Sequence, residues 1–310
     1  MDIIQVITKE LNVEKWQVEA AVKLIDEGCT IPFISRYRKE ATGSLNDEQL
    51  RTLHERLTYL RNLEEKKNQV LGSIEEQGKL TAELKKQILD AQTLVVVEDL
   101  YRPFRPKRRT RAIIAKEKGL EPLANIIMLQ MTDKPIEEEA QDFVSEDKGV
   151  ESVADAINGA KDIIAEHISD EADYRIYLRK LTMDRGSVAS TAKKPEESSV
   201  YEMYYEFEEP IKKLAGHRVL ALNRGEKEKI LTVKVNAPEE EAMGWLQKQV
   251  ITKENPITKP ILREVVEDSY KRLIAPAIER EIRSDLTEKA EDGAIHVFGK
   301  NLEQLLMQPP

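Results

Sequence analysis

One cysteine, Cys29, stands in 310 residues, so the chain can close no disulfide within itself and suits a reducing compartment. Aromatic residues make up 5%, and 13 glycines and 13 prolines are few for this length. That scarcity argues against a turn-rich sandwich or barrel. The four histidines, His54, His167, His217 and His296, show no i, i+4 pairing, and with a single cysteine they argue against a zinc site. Apolar runs such as Leu94 to Val97 are far too short to cross a bilayer. The opening residues lack the basic stretch and apolar core of a signal peptide. A soluble cytoplasmic protein with no membrane contact is therefore expected. No glycine-rich phosphate loop, dinucleotide fingerprint or nucleophile elbow occurs. The carboxylate runs Glu137 to Glu139 and Glu239 to Glu241 fit the first turns of helices, where acids complement the dipole. The expectation is no catalytic residue, no metal, no cofactor and no enzymatic activity.

What is abundant is helix-forming material: 40% apolar and 34% charged residues, rich in Glu, Lys, Leu, Ala and Ile. The length is enough for two domains. A mostly α, multi-helical fold follows, with a small strand pair between residues 187 and 235. The expected division is a helical domain over 1–186 and a central helical region with a small β element over 187–310. The alternative is that the second region packs with the N-terminal helices as one discontinuous domain. Two helices are predicted within residues 2–26, the second carrying Trp16, Ala20, Leu24 and Ile25 on its apolar face and closed by Gly28. Phe33 and Ile34 are expected to anchor the next turn. From Asn46 to Gln77 a long helix shows Leu50, Leu53, Leu57, Leu60, Leu63 and Val70 as its apolar stripe. Its charged opposite face suggests an arm standing partly free. Helices are predicted next over 81–90, 94–100, 111–118, 120–131, 135–144, 152–168 and 170–184, the last stopped at Gly186. The strands expected are Ser187 to Thr191 and Ile230 to Val235. A short helix through His217 and Leu222 lies between them, and helices over 238–250, 259–290 and 293–307 complete the chain. Gln308, Pro309 and Pro310 read as the start of a linker.

Charge is unevenly placed around a formal net of -9. From Asp99 to Lys118 there are eight basic and two acidic residues, whereas from Asp133 to Glu151 there are two basic and eight acidic. Within the first stretch, Tyr101 to Arg111 holds Arg102, Arg105, Lys107, Arg108, Arg109 and Arg111, interleaved with Tyr101 and Phe104 and stiffened by Pro103 and Pro106. Two readings stand. The cations pair with backbone phosphates while Tyr101 or Phe104 stacks a base. Alternatively, the arginine forks bind acidic helices of the same protein. Arg36, Arg38 and Lys39, beside Tyr37, pose the same choice.

Residues 30–43, Thr-Ile-Pro-Phe-Ile-Ser-Arg-Tyr-Arg-Lys-Glu-Ala-Thr-Gly, resemble a signature of the Tex family of bacterial transcription accessory proteins. So do the segments from Asp99 through Ala124, from Gly216 to Glu228 and from Ala294 to Leu306. The resemblance spans essentially the whole chain. It implies the N-terminal portion of a longer protein, which in this family continues into an RNase H-like domain, helix-hairpin-helix modules and an S1-type RNA-binding domain. It implies a helix-turn-helix-like module here. It also implies RNA or DNA as partner, mainly through those further domains, with the transcription machinery as a further partner. This portion would then be a non-enzymatic scaffold. The alternatives are a protein-interaction module that docks a transcription or RNA-processing partner, and, more distantly, part of a nuclease-related enzyme.

Overall fold

The computed structural model describes residues 2–308 and is mostly helical; of the closing segment read as a linker, Pro309 and Pro310 lie outside the described residues. The chain forms two compact units, Met1–Arg105 and Pro106–Pro310.

In the first unit, α1 (Ile3–Leu11) and α2 (Lys15–Asp26) precede the short α3 (Ile31–Tyr37). The thirty-residue α4 (Asp47–Glu76) is followed by α5 (Ala82–Asp90) and α6 (Leu94–Tyr101). Short polar caps set these boundaries. Asn46 accepts from the Gln49 amide at 2.8 Å while the Gln49 side chain accepts from the Asn46 amide, a reciprocal cap for α4. Thr81 and Thr93 cap α5 and α6 with a single bond each, without the reciprocal partner. Gly28 takes the left-handed conformation, φ 86°, after α2.

The stripe predicted for α4 is buried throughout, and Lys67 and Ile74 continue it. The helix is not a free arm: α1, α2, α3, α5 and α6 all pack on it, making it the spine of the unit. Lys67 is buried because its ammonium group donates to Glu64 at 3.0 Å and to the Leu89 carbonyl at 2.9 Å.

Two expected anchors are displaced. In α2 the buried residues are Val18 and Ala21, and Trp16 is 51% exposed. In α3 Ile34 is fully buried, whereas Phe33 is 37% exposed. Seven residues make about two turns, and one residue per turn suffices to seat so short a helix.

The second unit starts with α7 (Arg111–Glu117), α8 (Glu121–Leu129) and α9 (Ile136–Gln141). They surround α10 (Val153–Asp170), which buries Ala156, Ala160, Ile163, Ile164, Ala165 and Ile168. After α11 (Ala172–Arg185) come β1 (Ser187–Ala192), β2 (Glu206–Pro210), α12 (Gly216–Lys227) and β3 (Leu231–Asn236). The sheet has three antiparallel strands in the order β2-β1-β3, one more than the expected pair. Ser190 of β1 faces Phe207 on one side and Val233 on the other.

Gly186 lies between α11 and β1. A Cβ there would come within 2.5 Å of the Thr182 carbonyl and 2.9 Å of the Asn236 carbonyl, so the chain can turn into the sheet only with a glycine. The composition change read near residue 187 marks this entry into β1, inside the second unit.

Helices α13 (Glu239–Val250), α14 (Thr258–Asp268) and α15 (Ala275–Leu306) complete the unit. A π-helical turn over Ser269–Ile274 joins the last two. Where two helices were expected over 259–290 and 293–307, α15 runs through Gly293 without a break. It also closes one sheet edge. Glu279 accepts from the Val235 amide at 2.9 Å and Arg283 donates to the Val233 carbonyl at 3.5 Å, so charged side chains occupy groups that a further strand would use.

Candidate nucleic-acid interface

The basic segment is divided between the two units, and each half is tied down differently. In the first unit, α6 ends at Tyr101, and the Tyr101 hydroxyl shares a 2.9 Å hydrogen bond with the Ser73 hydroxyl of α4. Gln77, just past α4, donates to the Phe104 carbonyl at 3.0 Å, which fixes a 3-10 turn over Arg102–Phe104. Both aromatic rings are only part-exposed, as is Arg102. Arg105 is exposed and reaches Glu98 at 3.5 Å, a carboxylate that Lys66 holds more closely at 2.6 Å.

In the second unit, Lys107 is drawn inward. Its ammonium group contacts Asp170 directly and lies 3.6 Å from Glu166, both on α10. Arg109 meets Glu117 at 3.2 Å with both side chains largely in solvent, where such a pair contributes little. Arg108 is exposed and, among the described residues, has no ion pair.

Arg111 opens α7 and is also exposed. Its charge acts on Asp162 of α10. Burial pushes the Asp162 carboxyl above its ordinary range, and the nearby Arg272 and Arg111 only partly oppose that. The segment is thus neither wholly internal nor wholly free: Lys107 is used within the fold, and Arg105, Arg108, Arg109 and Arg111 present their guanidinium groups to solvent.

Arg36, Arg38 and Lys39 lie at the C-terminal end of α3 and are all exposed. Arg38 sits over the Phe33 ring, 5.2 Å from its centroid, and donates to the Tyr37 carbonyl at 3.3 Å. Among the described residues, none of these three cations is in an ion pair. Phe33 was expected to anchor the core with Ile34; its ring and that of Tyr37, one helical turn on, are instead exposed.

Among the described residues, no group of three or more His, Cys, Asp or Glu side chains is placed to hold a metal ion. No helix among them is long and apolar enough to cross a membrane.

Fold and surface together define a class: a helical protein with a small capped sheet, acidic overall, with exposed cations gathered at a few places. Residues 1–75 match the model of the Tex-like protein N-terminal domain, and residues 131–298 match the Tex central region-like model. The chain belongs to the Tex family. It is 50% identical over 309 residues to the uncharacterized protein YdcI of Bacillus subtilis, covering 99% of this chain and 43% of that protein. It is 37% identical over 317 residues to the transcriptional accessory protein Tex of Neisseria gonorrhoeae, covering 100% of this chain and 42% of that protein. It is 33% identical over 325 residues to human S1 RNA-binding domain-containing protein 1, covering 100% of this chain and 32% of that protein. The chain therefore spans less than half the length of these relatives.

Proposed function

We propose that this chain is the non-enzymatic helical scaffold of a cytoplasmic transcription accessory protein. It holds nucleic-acid-binding domains in place and adds secondary phosphate contacts, through Arg105 on the first unit and through Arg108, Arg109 and Arg111 on the second. The names of its relatives, a transcriptional accessory protein and an S1 RNA-binding protein, support the setting. The observation that carries the reading is the fate of Lys107. Its ion pairs with Asp170 and Glu166, made from a part-buried position, tie the start of the second unit to α10, so the guanidinium groups of Arg108, Arg109 and Arg111 are offered on an ordered backbone. An ordered cation loses less entropy on meeting a phosphate than one on a mobile tail.

Binding of this kind is salt-dependent, because each neutralised phosphate releases counterions. The chain is expected to bind an RNA or DNA strand with an affinity that falls steeply with salt. Arg105→Glu together with Arg108→Glu should reduce both the affinity and the salt slope without changing the thermal melt. A double variant that binds as the parent chain does would remove the basic segment from the contact. One that unfolds would assign these arginines to the fold.

A second reading, as a module that docks a protein partner, rests on the last turns of α15. Ile295, Phe298, Leu302 and Leu305 recur there at i, i+3, i+7 and i+10 and all are exposed. Spacing of that kind forms a single apolar seam. Capture of partners from cell extract should be lost in Leu302→Glu with Leu305→Glu, and identical capture by both chains would remove this reading.

A further inference from the structure

The first unit carries an aromatic and cationic surface apart from the basic segment of residues 101–111, and its geometry is more specific. Helices α2 and α3 form a hairpin whose open end is held shut by side-chain hydrogen bonds. Gln17, near the start of α2, donates to the Thr42 and Gly43 carbonyls at 3.2 and 3.0 Å. Gly43 is left-handed at φ 60°, and a Cβ there would come within 2.5 Å of the Trp16 ring. The turn after α3 is thereby seated against the indole, which places Trp16 and the C-terminal end of α3 at the same end of the hairpin. Trp16 is nevertheless 51% exposed and Tyr37 68% exposed. The Phe33 and Tyr37 rings lie 5.4 Å apart between centroids, tilted by 43°, with Arg38 over the Phe33 ring.

Positive charge is concentrated on the α3 side, whereas Trp16 lies between Glu14 and the Lys15–Glu19 pair. From Ile31 to Leu45 there are three cations, Arg36, Arg38 and Lys39, and one carboxylate, Glu40. Large exposed rings are costly to leave in water. Exposed cations with no ion pair beside them, in a protein of net charge -9, make a local attraction for a polyanion. Rings flanked by unpaired cations are the combination that binds unpaired nucleotides: bases stack on the rings, and phosphates take the cations. Base pairs in a duplex hide their faces from such rings.

We infer that the open end of the α2–α3 hairpin is a binding site for single-stranded nucleic acid, with Tyr37, Phe33 and Trp16 stacking bases and Arg36, Arg38 and Lys39 contacting phosphates. Stacking does not read the sugar, so oligouridylate and oligodeoxythymidylate are both ligands and a duplex of equal length binds more weakly. The site is separate from the contact proposed for residues 105–111 and can be tested apart from it.

The chain holds two tryptophans, Trp16 and Trp245. Trp245 stacks on Tyr177 at 3.9 Å in the second unit, so Trp245→Phe keeps a ring there and leaves Trp16 as the one reporter. Titrating this variant with a labelled strand of about 12 nucleotides at low salt should quench Trp16 as anisotropy rises. Tyr37→Ala should weaken binding of both strands by about tenfold, the scale of one lost stack. Tyr37→Phe should restore it, and Arg105→Glu with Arg108→Glu should leave the Trp16 quench in place. If Trp245→Phe folds poorly, anisotropy with the two Tyr37 variants made in the Arg105→Glu, Arg108→Glu background gives the same decision. No binding at low salt, or equal affinity in Tyr37→Ala, overturns the assignment. So does a strand that binds without quenching Trp16 and is lost in the arginine double variant, a result that would leave the contact at 105–111 standing.

Discussion

Glu281 on α15 gathers two arginines from α11. Arg175 donates to it at 2.6 Å, and Arg179 donates to its other oxygen at 2.9 and 2.7 Å. Arg175 is 1% exposed, so its charge depends on hydrogen-bonded carboxylates rather than on water. Replacing Glu281 by Gln keeps the shape and removes the charge. The expected cost is on the order of 3 kcal/mol, as for breaking a buried pair from one side, and it is read from the urea unfolding midpoint. Glu226 and Arg283 make a more accessible pair with a different signature. Hydrogen bonding from Arg283 holds the Glu226 carboxyl below its ordinary value of 4.5, and burial opposes this. A carboxyl lowered by folding adds stability that is present above the unfolded value and is lost as the pH falls through the folded one. Glu226→Gln should therefore unfold with a weaker dependence on pH below about 4.5 than the parent chain and differ little from it in that dependence near neutrality. A pH series of thermal melts checks this. Neither pair was visible in the sequence, because both join residues more than fifty positions apart. Trp16 was misplaced for a local reason: Trp16, Ala20 and Leu24 share a helical stripe as plausible as that of Val18, Ala21 and Ile25. Only the packing of α4 decides between them.

At the scale of elements, apolar spacing made most helices legible, and polar caps mark where some of them start. Asn46 with Gln49, Thr81 and Thr93 each satisfy a first-turn amide and so mark where α4, α5 and α6 begin. Asn46→Ala should cost about 1 kcal/mol, measurable as a lower melting temperature with unchanged helix content in the folded baseline. An unaltered melt would show that the packing along α4 alone fixes its start. The strand β2 was not legible. Its sequence, Glu206-Phe-Glu-Glu-Pro210, reads as an acidic loop, and its pattern alternates only between exposed and part-exposed positions. An edge strand pairs on one side and can stay polar, so tertiary pairing with β1, rather than its own propensity, makes it a strand. The same limit applies to α15. Gly293 suggested a break, but a glycine inside a helix costs only about 1 kcal/mol against alanine, which the neighbouring turns absorb.

For the whole molecule, the basic segment proves to be the place where one compact unit gives way to the next. Tyr101 and Phe104 are bound to α4 and its end, Lys107 to α10, and the change falls between Arg105 and Pro106. Family resemblance made the segment conspicuous; its physical role explains why aromatics, prolines and cations alternate so densely within it. The Tyr101 hydroxyl and the Phe104 carbonyl tie the end of one unit to Ser73 and Gln77, and Lys107 ties the start of the other to α10. The first unit has a core of its own, formed by Ile7, Val18, Leu53, Leu60, Ile74 and Val97 among others, all buried within residues 1–105. About a hundred residues is an ordinary domain size. A chain ending at Arg105 should therefore be monomeric and helical by circular dichroism and melt in one cooperative transition. Lys67→Ala in that fragment should lower the transition, because Glu64 and the Leu89 carbonyl would lose their buried donor. A fragment with little helix or a gradual melt would mean that this core needs the rest of the chain to close. A cooperative melt insensitive to Lys67→Ala would instead show that the apolar stripe of α4 alone carries its stability.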